Sequence, residues 1–321
     1  LANKVKINGG TTYWSGDGSL TLTGSDTTPA FAITQFAGPA INIVNTAPMT
    51  ITGIYSLCDT TVPNNNPQSP TLASSANLTI SAEIRESNAG NSYNVNNKGA
   101  KFVFTGTGAN LTLSGTNTFG EGASIGRSTE IIVQAGSGFN TITVGGPGGP
   151  GATITPFGLS ALFSNSGQGF YLKALENGQI LSNSISLGNS VGNDGGRPLG
   201  FTGENDLTLG GAFTLGAGVS LPNLAEGTLT FSGTLNCVTN RTLTVLGTGK
   251  TVFSPSSFMT GPNNLWGGIG KLGPGTLTLA GSNNLLGATS LKGGSAILDY
   301  TAGNVSRLTA GTNTVAALVL G

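Results

Sequence analysis

The chain has 321 residues, and Lys+Arg 13 against Asp+Glu 13 leave it without net charge. Charged residues make up only 8%, with no basic stripe, which excludes a surface built to neutralise nucleic-acid phosphates. The absence of histidine (His 0) removes Ser–His and Cys–His nucleophile pairs and histidine metal sites in one step.

Gly 53 and Pro 14 fall short of a collagen-like or disordered composition. The 37% of hydrophobic residues come in short, evenly spread pairs, the pattern of many short strands. The first recognisable unit is Ser-Leu-Thr-Leu-Thr-Gly at 19–24, preceded by the adjacent aromatics Tyr13 and Trp14. Two neighbours on a strand face opposite ways, so one of this pair points outward. Residues 58–70 carry three prolines and an asparagine run. Proline removes a ladder donor, so this stretch reads as a loop leaving the repeat. Asn-Leu-Thr-Ile-Ser-Ala at 77–82 is a looser copy of the unit, followed by Glu83 and Glu86 flanking Arg85. Asn-Leu-Thr-Leu-Ser-Gly follows at 110–115.

Residues 145–151, Gly-Gly-Pro-Gly-Gly-Pro-Gly, are too short for a collagen segment and read as a turn. The best helix candidate, 158–163, is too short to persist as a helix. Residues 159–190 mix apolar and small polar residues, with Asn and Ser dense at the turns. Asp194 sits in a glycine-rich turn. As a Ca²⁺ ligand it would be one carboxylate where six to eight oxygens are needed. Further copies lie at 206–211, 228–233 and 242–247, then the fullest one at 271–298. There Leu277 and Leu279 face one side of a strand and Thr276 and Thr278 the other.

The first leucines of the copies are Leu20, Leu78, Leu111, Leu207, Leu229, Leu243 and Leu277. Their spacings are irregular. A coil of a parallel β-helix takes roughly 20–30 residues. The step from Leu229 to Leu243 is too short for a coil, and separates either two strands of one coil or the arms of a hairpin. One such unit cannot bury its apolar face alone and needs similar units above and below. We therefore expect an all-β parallel β-helix over 1–321, with loop insertions near 58–70 and 145–151.

Paired carboxylates are the remaining route to catalysis. Glu204 and Asp206, two apart on one face, or Glu83 and Glu86, could serve a glycoside hydrolase. The simpler reading is solvated turn residues, and no enzyme activity, cofactor or metal is expected. Gly247 to Thr251 lacks the spacing of a phosphate-binding loop and reads as a turn between strands. Tyr13, Trp14 and Trp266 are the candidate glycan contacts. Covering a solenoid end or plugging a widened coil is the structural alternative for them. Asn117, Asn189 and Asn283 suit turns by their tolerance of left-handed geometry. Amide laddering between coils is the other possibility. Cys58 and Cys237 lie about seven coils, or ~33 Å, apart in a stacked solenoid, beyond disulfide reach.

The 271–298 unit resembles the autotransporter-associated β-strand repeat, also called the passenger-associated transport repeat. Gly273, Gly275, Thr276, Leu277, Thr278, Leu279, Gly281, Asn283, Gly287, Thr289, Leu291 and Gly294 fall on its pattern. Ala296 replaces its final leucine, with Ile297 and Leu298 following. Residues 110–122 match more weakly, and 311–318 resemble the segment after the last repeat in large bacterial surface proteins of this group. The resemblance implies a right-handed parallel β-helix secreted to the bacterial surface or released. It does not imply a particular activity.

No stretch is long and apolar enough to span a membrane. The chain opens without methionine and closes inside a strand-like run, so a fragment of a longer secreted chain is expected. The neutral Thr, Ser and Asn surface responds little to salt and suits an extracellular or cell-surface setting. With no charged capping helix at either end, end-to-end self-association into a fibre or layer is the expected partner mode. A glycan or host-matrix surface is the other expected partner.

Overall fold

A computed structural model describes residues 5–7, 11–23, 31–33, 40–44, 46–53, 55–56, 71–81, 83–85, 102–106, 109–117, 130–135, 140–157, 161–164, 170–187, 199–215, 219–237, 242–254, 259–260, 268–280, 289–301 and 318–320. Within these, every regular element is a short β-strand, and every registered strand pair is parallel. The chain is a parallel β-solenoid. It divides into two compact units, Leu1–Pro147 with Ile154–Gln168, and Gly148–Thr153 with Gly169–Gly321.

The first unit is built on triplets of apolar residue, threonine, apolar residue. Leu20–Leu22, Met49–Ile51, Leu78–Ile80, Leu111–Leu113 and Asn140–Val144 form one sheet. Its register stacks Leu20, Met49, Leu78, Leu111 and Ile142 in one column, and Leu22, Ile51, Ile80, Leu113 and Val144 in another. Nearly all of these side chains are buried. Between the columns Thr21, Thr50, Thr79, Thr112 and Thr143 align on the opposite face, as the two-residue period of a strand requires. A second sheet stacks Thr11–Trp14, Ala40–Ile43, Thr71–Ser74, Phe102–Gly106, Glu130–Ala135 and Ala161–Ser164. Val5–Ile7, Phe31–Ile33, Tyr55–Ser56 and Ile84–Arg85 make a third. The stretch at 158–163, too short for a helix by its sequence, supplies strand instead: Ala161–Ser164 is held by backbone pairing to Glu130–Ala135.

The second unit repeats the scheme with shorter coils. Gln179–Leu181, Leu207–Leu209, Thr228–Phe231, Lys250–Phe253, Thr276–Leu279 and Ser295–Leu298 stack in register. From Leu207 the column runs through Leu229, Thr251 and Leu277 to Ala296, in steps of 22, 22, 26 and 19 residues. The neighbouring column is Leu209, Phe231, Phe253, Leu279 and Leu298. Phe213 meets Phe231 edge-on at 5.2 Å and Phe231 meets Phe253 at 5.0 Å, so an aromatic cluster fills this core. Ile185–Leu187, Phe213–Leu215, Leu235–Cys237 and Met259–Thr260 form a second sheet. Val219–Pro222, Thr242–Leu246, Gly268–Lys271, Thr289–Leu291 and Leu318–Leu320 form a third.

The irregular leucine spacing now has a cause. Leu243 belongs to the third sheet of its unit and stacks on Val219, whereas Leu277 stacks on Thr251 in a different sheet. The short step from Leu229 to Leu243 thus separates strands of one coil, not the arms of a hairpin.

Gly211 and Gly233, which close the units at 206–211 and 228–233, mark backbone crossings too close for a side chain. Ser232 and Gly233 both donate their N–H to the Leu209 carbonyl, at 2.9 and 3.1 Å. Gly210 and Gly211 do the same to Leu181, at 2.8 and 3.3 Å. A Cβ on Gly233 would overlap the Gly211 carbonyl oxygen. The 145–151 stretch is the expected turn, with Gly148, Gly149 and Gly151 at φ of 101°, 68° and 73°, a region open to glycine. The expected insertion at 58–70 lies outside the described residues. Gly233→Ala should lower stability by about 1–3 kcal/mol, the usual cost of an overpacked site. A urea-unfolding midpoint equal to that of the unmodified chain would contradict the close crossing.

Candidate functional surfaces

Polar side chains in this fold first serve the stack. Asn77, Asn177 and Asp206, each just ahead of a strand, pass a side-chain oxygen to the next coil. The Asn110 N–H donates to Asn77 Oδ1 at 3.1 Å, Asp206 N–H to Asn177 Oδ1 at 2.9 Å, and Thr228 N–H to Asp206 Oδ1 at 2.6 Å. Asn117 is buried and joins three segments: its Oδ1 accepts from Ile84 N–H at 2.7 Å and its Nδ2 donates to the Pro156 carbonyl at 2.6 Å. The amide bonds to backbone rather than to another amide, so at this position neither side-chain laddering nor simple turn preference describes it. Asn189 and Asn283 lie outside the described residues. Asn223 works similarly, donating to the Lys250 carbonyl and to Thr251 Oγ1, both at 2.9 Å, and accepting from Ala225 N–H at 3.1 Å. Nothing in the local sequence distinguishes these asparagines from ordinary turn residues. Only the register reveals their partners.

The carboxylate pair Glu204 and Asp206 separates in role. Glu204 is exposed, while Asp206 is half-buried and committed to the Thr228 amide. Register also shows what sequence reading missed: Glu176, Glu204 and Glu226 each stand three residues before a registered partner, Gln179, Leu207 and Leu229. They occupy the same turn in successive coils, and all three are exposed. Among the described residues, no three His, Cys, Asp or Glu side chains gather closely enough to hold a metal ion. Glu83 is half-buried, and Glu86 and Asp194 lie outside the described residues.

Tyr13 is 70% exposed, on the strand Thr11–Trp14, with Trp14 half-buried beside it. The alternation expected of adjacent strand residues accounts for the difference. Trp266, the third candidate glycan contact, lies outside the described residues. Cys237 ends a strand opposite Leu215, and Cys58 lies outside the described residues. Gly247, at φ 94°, does turn the chain between two strands.

Lys271 is the least expected placement. It falls in the inward column of Leu221 and Val245, and is as buried as they are. Its ammonium folds back onto the Leu272 and Gly273 carbonyls at 3.1 and 2.7 Å. Burial disfavours the charged form and holds its pKa below the ordinary lysine value.

Comparison with known protein families, characterised proteins and solved structures returns no match. Among the described residues no helix is long and apolar enough to cross a membrane.

Two predictions follow from these placements. Asn117→Ala leaves a buried amide N–H and a carbonyl without their partner and should cost about 2–4 kcal/mol. A thermal midpoint unmoved by this change would remove the three-way link. For Lys271, the unfolded chain binds more protons than the native one between the lowered native pKa and the unfolded value of about 10.4. Native stability should therefore rise with pH across that window. Lys271→Met has no such group, so its stability relative to the unmodified chain should fall as pH approaches about 10.4. Parallel stability profiles for the two proteins would contradict the buried amine.

Proposed function

We propose that this chain is an extracellular structural or adhesive surface protein, a rigid β-solenoid that extends end to end. The observation that carries the reading is the one-to-one stacking of neutral strands. Inward columns are almost wholly apolar, and the facing threonine column of the first unit carries no charge. Such a scaffold is stiff, because each coil is hydrogen-bonded along its length to the next. It has little charge for salt to screen. The likeness of residues 271–298 to the autotransporter-associated repeat supports secretion to a bacterial surface.

A second reading is a glycan-binding or polysaccharide-degrading β-helix. The exposed Tyr13 ring beside Trp14 favours binding. Degradation receives less support, since Asp206 is occupied in holding the next coil and Glu204 is an exposed turn residue.

The test is to add the purified chain to abiotic surfaces and to a panel of polysaccharides. Adhesion without release of reducing ends is expected, and Tyr13→Ala should weaken any saturable glycan binding. Release of reducing ends that disappears in Glu204→Gln would overturn the structural reading in favour of the enzyme.

A further inference from the structure

Two Asn-Gly pairs occur in the chain, Asn8–Gly9 and Asn177–Gly178, and the second lies among the described residues. Such a pair is chemically reactive. Glycine has no side chain to keep its nitrogen from closing on the preceding asparagine amide. Asn177 is exposed, so water and base reach it. Gly178, at φ 72°, turns the chain into the strand Gln179–Leu181. Both reacting groups are held by the next coil. The Gly178 N–H donates to the Asp206 carbonyl at 2.9 Å. Asn177 Oδ1 sits on the carbon open to attack, and it accepts the Asp206 N–H at 2.9 Å. On the other side, the Asn177 carbonyl accepts the Gly151 N–H at 2.9 Å.

We propose that Asn177–Gly178 is a self-modification site that the stacked coils hold shut, so that deamidation there marks chains outside the native register. Base takes the Gly178 N–H proton, and the nitrogen bonds to Asn177 Cγ. The Cγ–Nδ2 bond breaks, and Nδ2 leaves with a proton as ammonia. The product is a five-membered cyclic imide. Water opens it at either carbonyl, giving aspartate or isoaspartate at 177. Amide and water become acid and ammonia, with no oxidant or reductant. Closing the ring breaks both bonds to Asp206, so in the stacked chain it waits on local opening. Isoaspartate lengthens the main chain by one carbon at residue 177. The two bonds to Asp206 can then no longer both form while Gln179 stays opposite Leu207. The modification is therefore suppressed by the register and, once made, opposes it.

The test is to age the full chain at mildly alkaline pH, folded in buffer and unfolded in guanidinium chloride. Peptide mass spectrometry with fragmentation then locates conversion at residue 177. Ready conversion in guanidinium and conversion at least about tenfold slower in the folded chain are expected. Chain aged in guanidinium and then refolded should show a lower unfolding midpoint than Asn177→Gln aged the same way. Glutamine cannot close the five-membered ring, so that variant subtracts any change at other asparagines. Equal rates in the folded and unfolded chain, no conversion in guanidinium, or equal midpoints for the two aged proteins would each overturn the proposal.

Discussion

The constraint on which everything else depends is the one-to-one register of the parallel backbone ladder. When Thr79 pairs with Thr50 and Thr112, every other position of those strands is fixed as well. An offset of one residue would turn Leu78 and Ile80 to the surface and bring Thr79 inside. The chain can therefore vary in length only at its turns. The second unit shows this directly. Its coils differ from 19 to 26 residues in the Leu207 column, yet Leu209, Phe231, Phe253 and Leu279 still superpose.

The turns are where register could slip, and there the polar residues act. A side-chain oxygen from Asn77, Asn177 or Asp206 reaches the backbone N–H that opens the next coil's strand. At the other end of the strand, one carbonyl takes two N–H groups from the following coil, and the closing glycine permits that crossing. Each bond contributes only about 1 kcal/mol net. Their positions matter more than their sum, since they pin both ends of a three- or four-residue strand whose own ladder is short.

Sequence reading recovered the fold class because Leu-Thr-Leu alternation is itself the structural unit. It recovered the inward Leu277 and Leu279, the turn at Gly247 and the glycine-proline turn at 145–151. It missed coils of the first unit that meet the same requirement with other residues: Met49-Thr50-Ile51 and Ile142-Thr143-Val144 occupy the same columns. The physical demand is apolar, small polar, apolar, and leucine is one way to meet it. The polar sites were less legible still. Asn117 and Asn223 look like turn residues, the glutamates at 176, 204 and 226 look scattered, and Lys271 looks like a surface lysine. Each acquires its meaning from a neighbour 22 to 39 residues away, which no local pattern encodes.

Register also bears on what the neutral composition means. Equivalent side chains of successive coils sit one strand spacing apart, about 4.8 Å. A charged residue repeated in an outward column would therefore face its own kind above and below, an arrangement that costs stability. Threonine fills the position without that cost, its β-branched side chain suiting an extended backbone. In the column beginning at Asp206, charges do occur, but Thr228 separates Asp206 from Lys250, which has the opposite sign. The three stacked glutamates stand at an exposed turn, where side chains can splay apart. Scarcity of charge is thus a condition of stacking before it is an adaptation to any medium. Specific recognition then falls to the positions that escape the repeat: the turns and the exposed Tyr13.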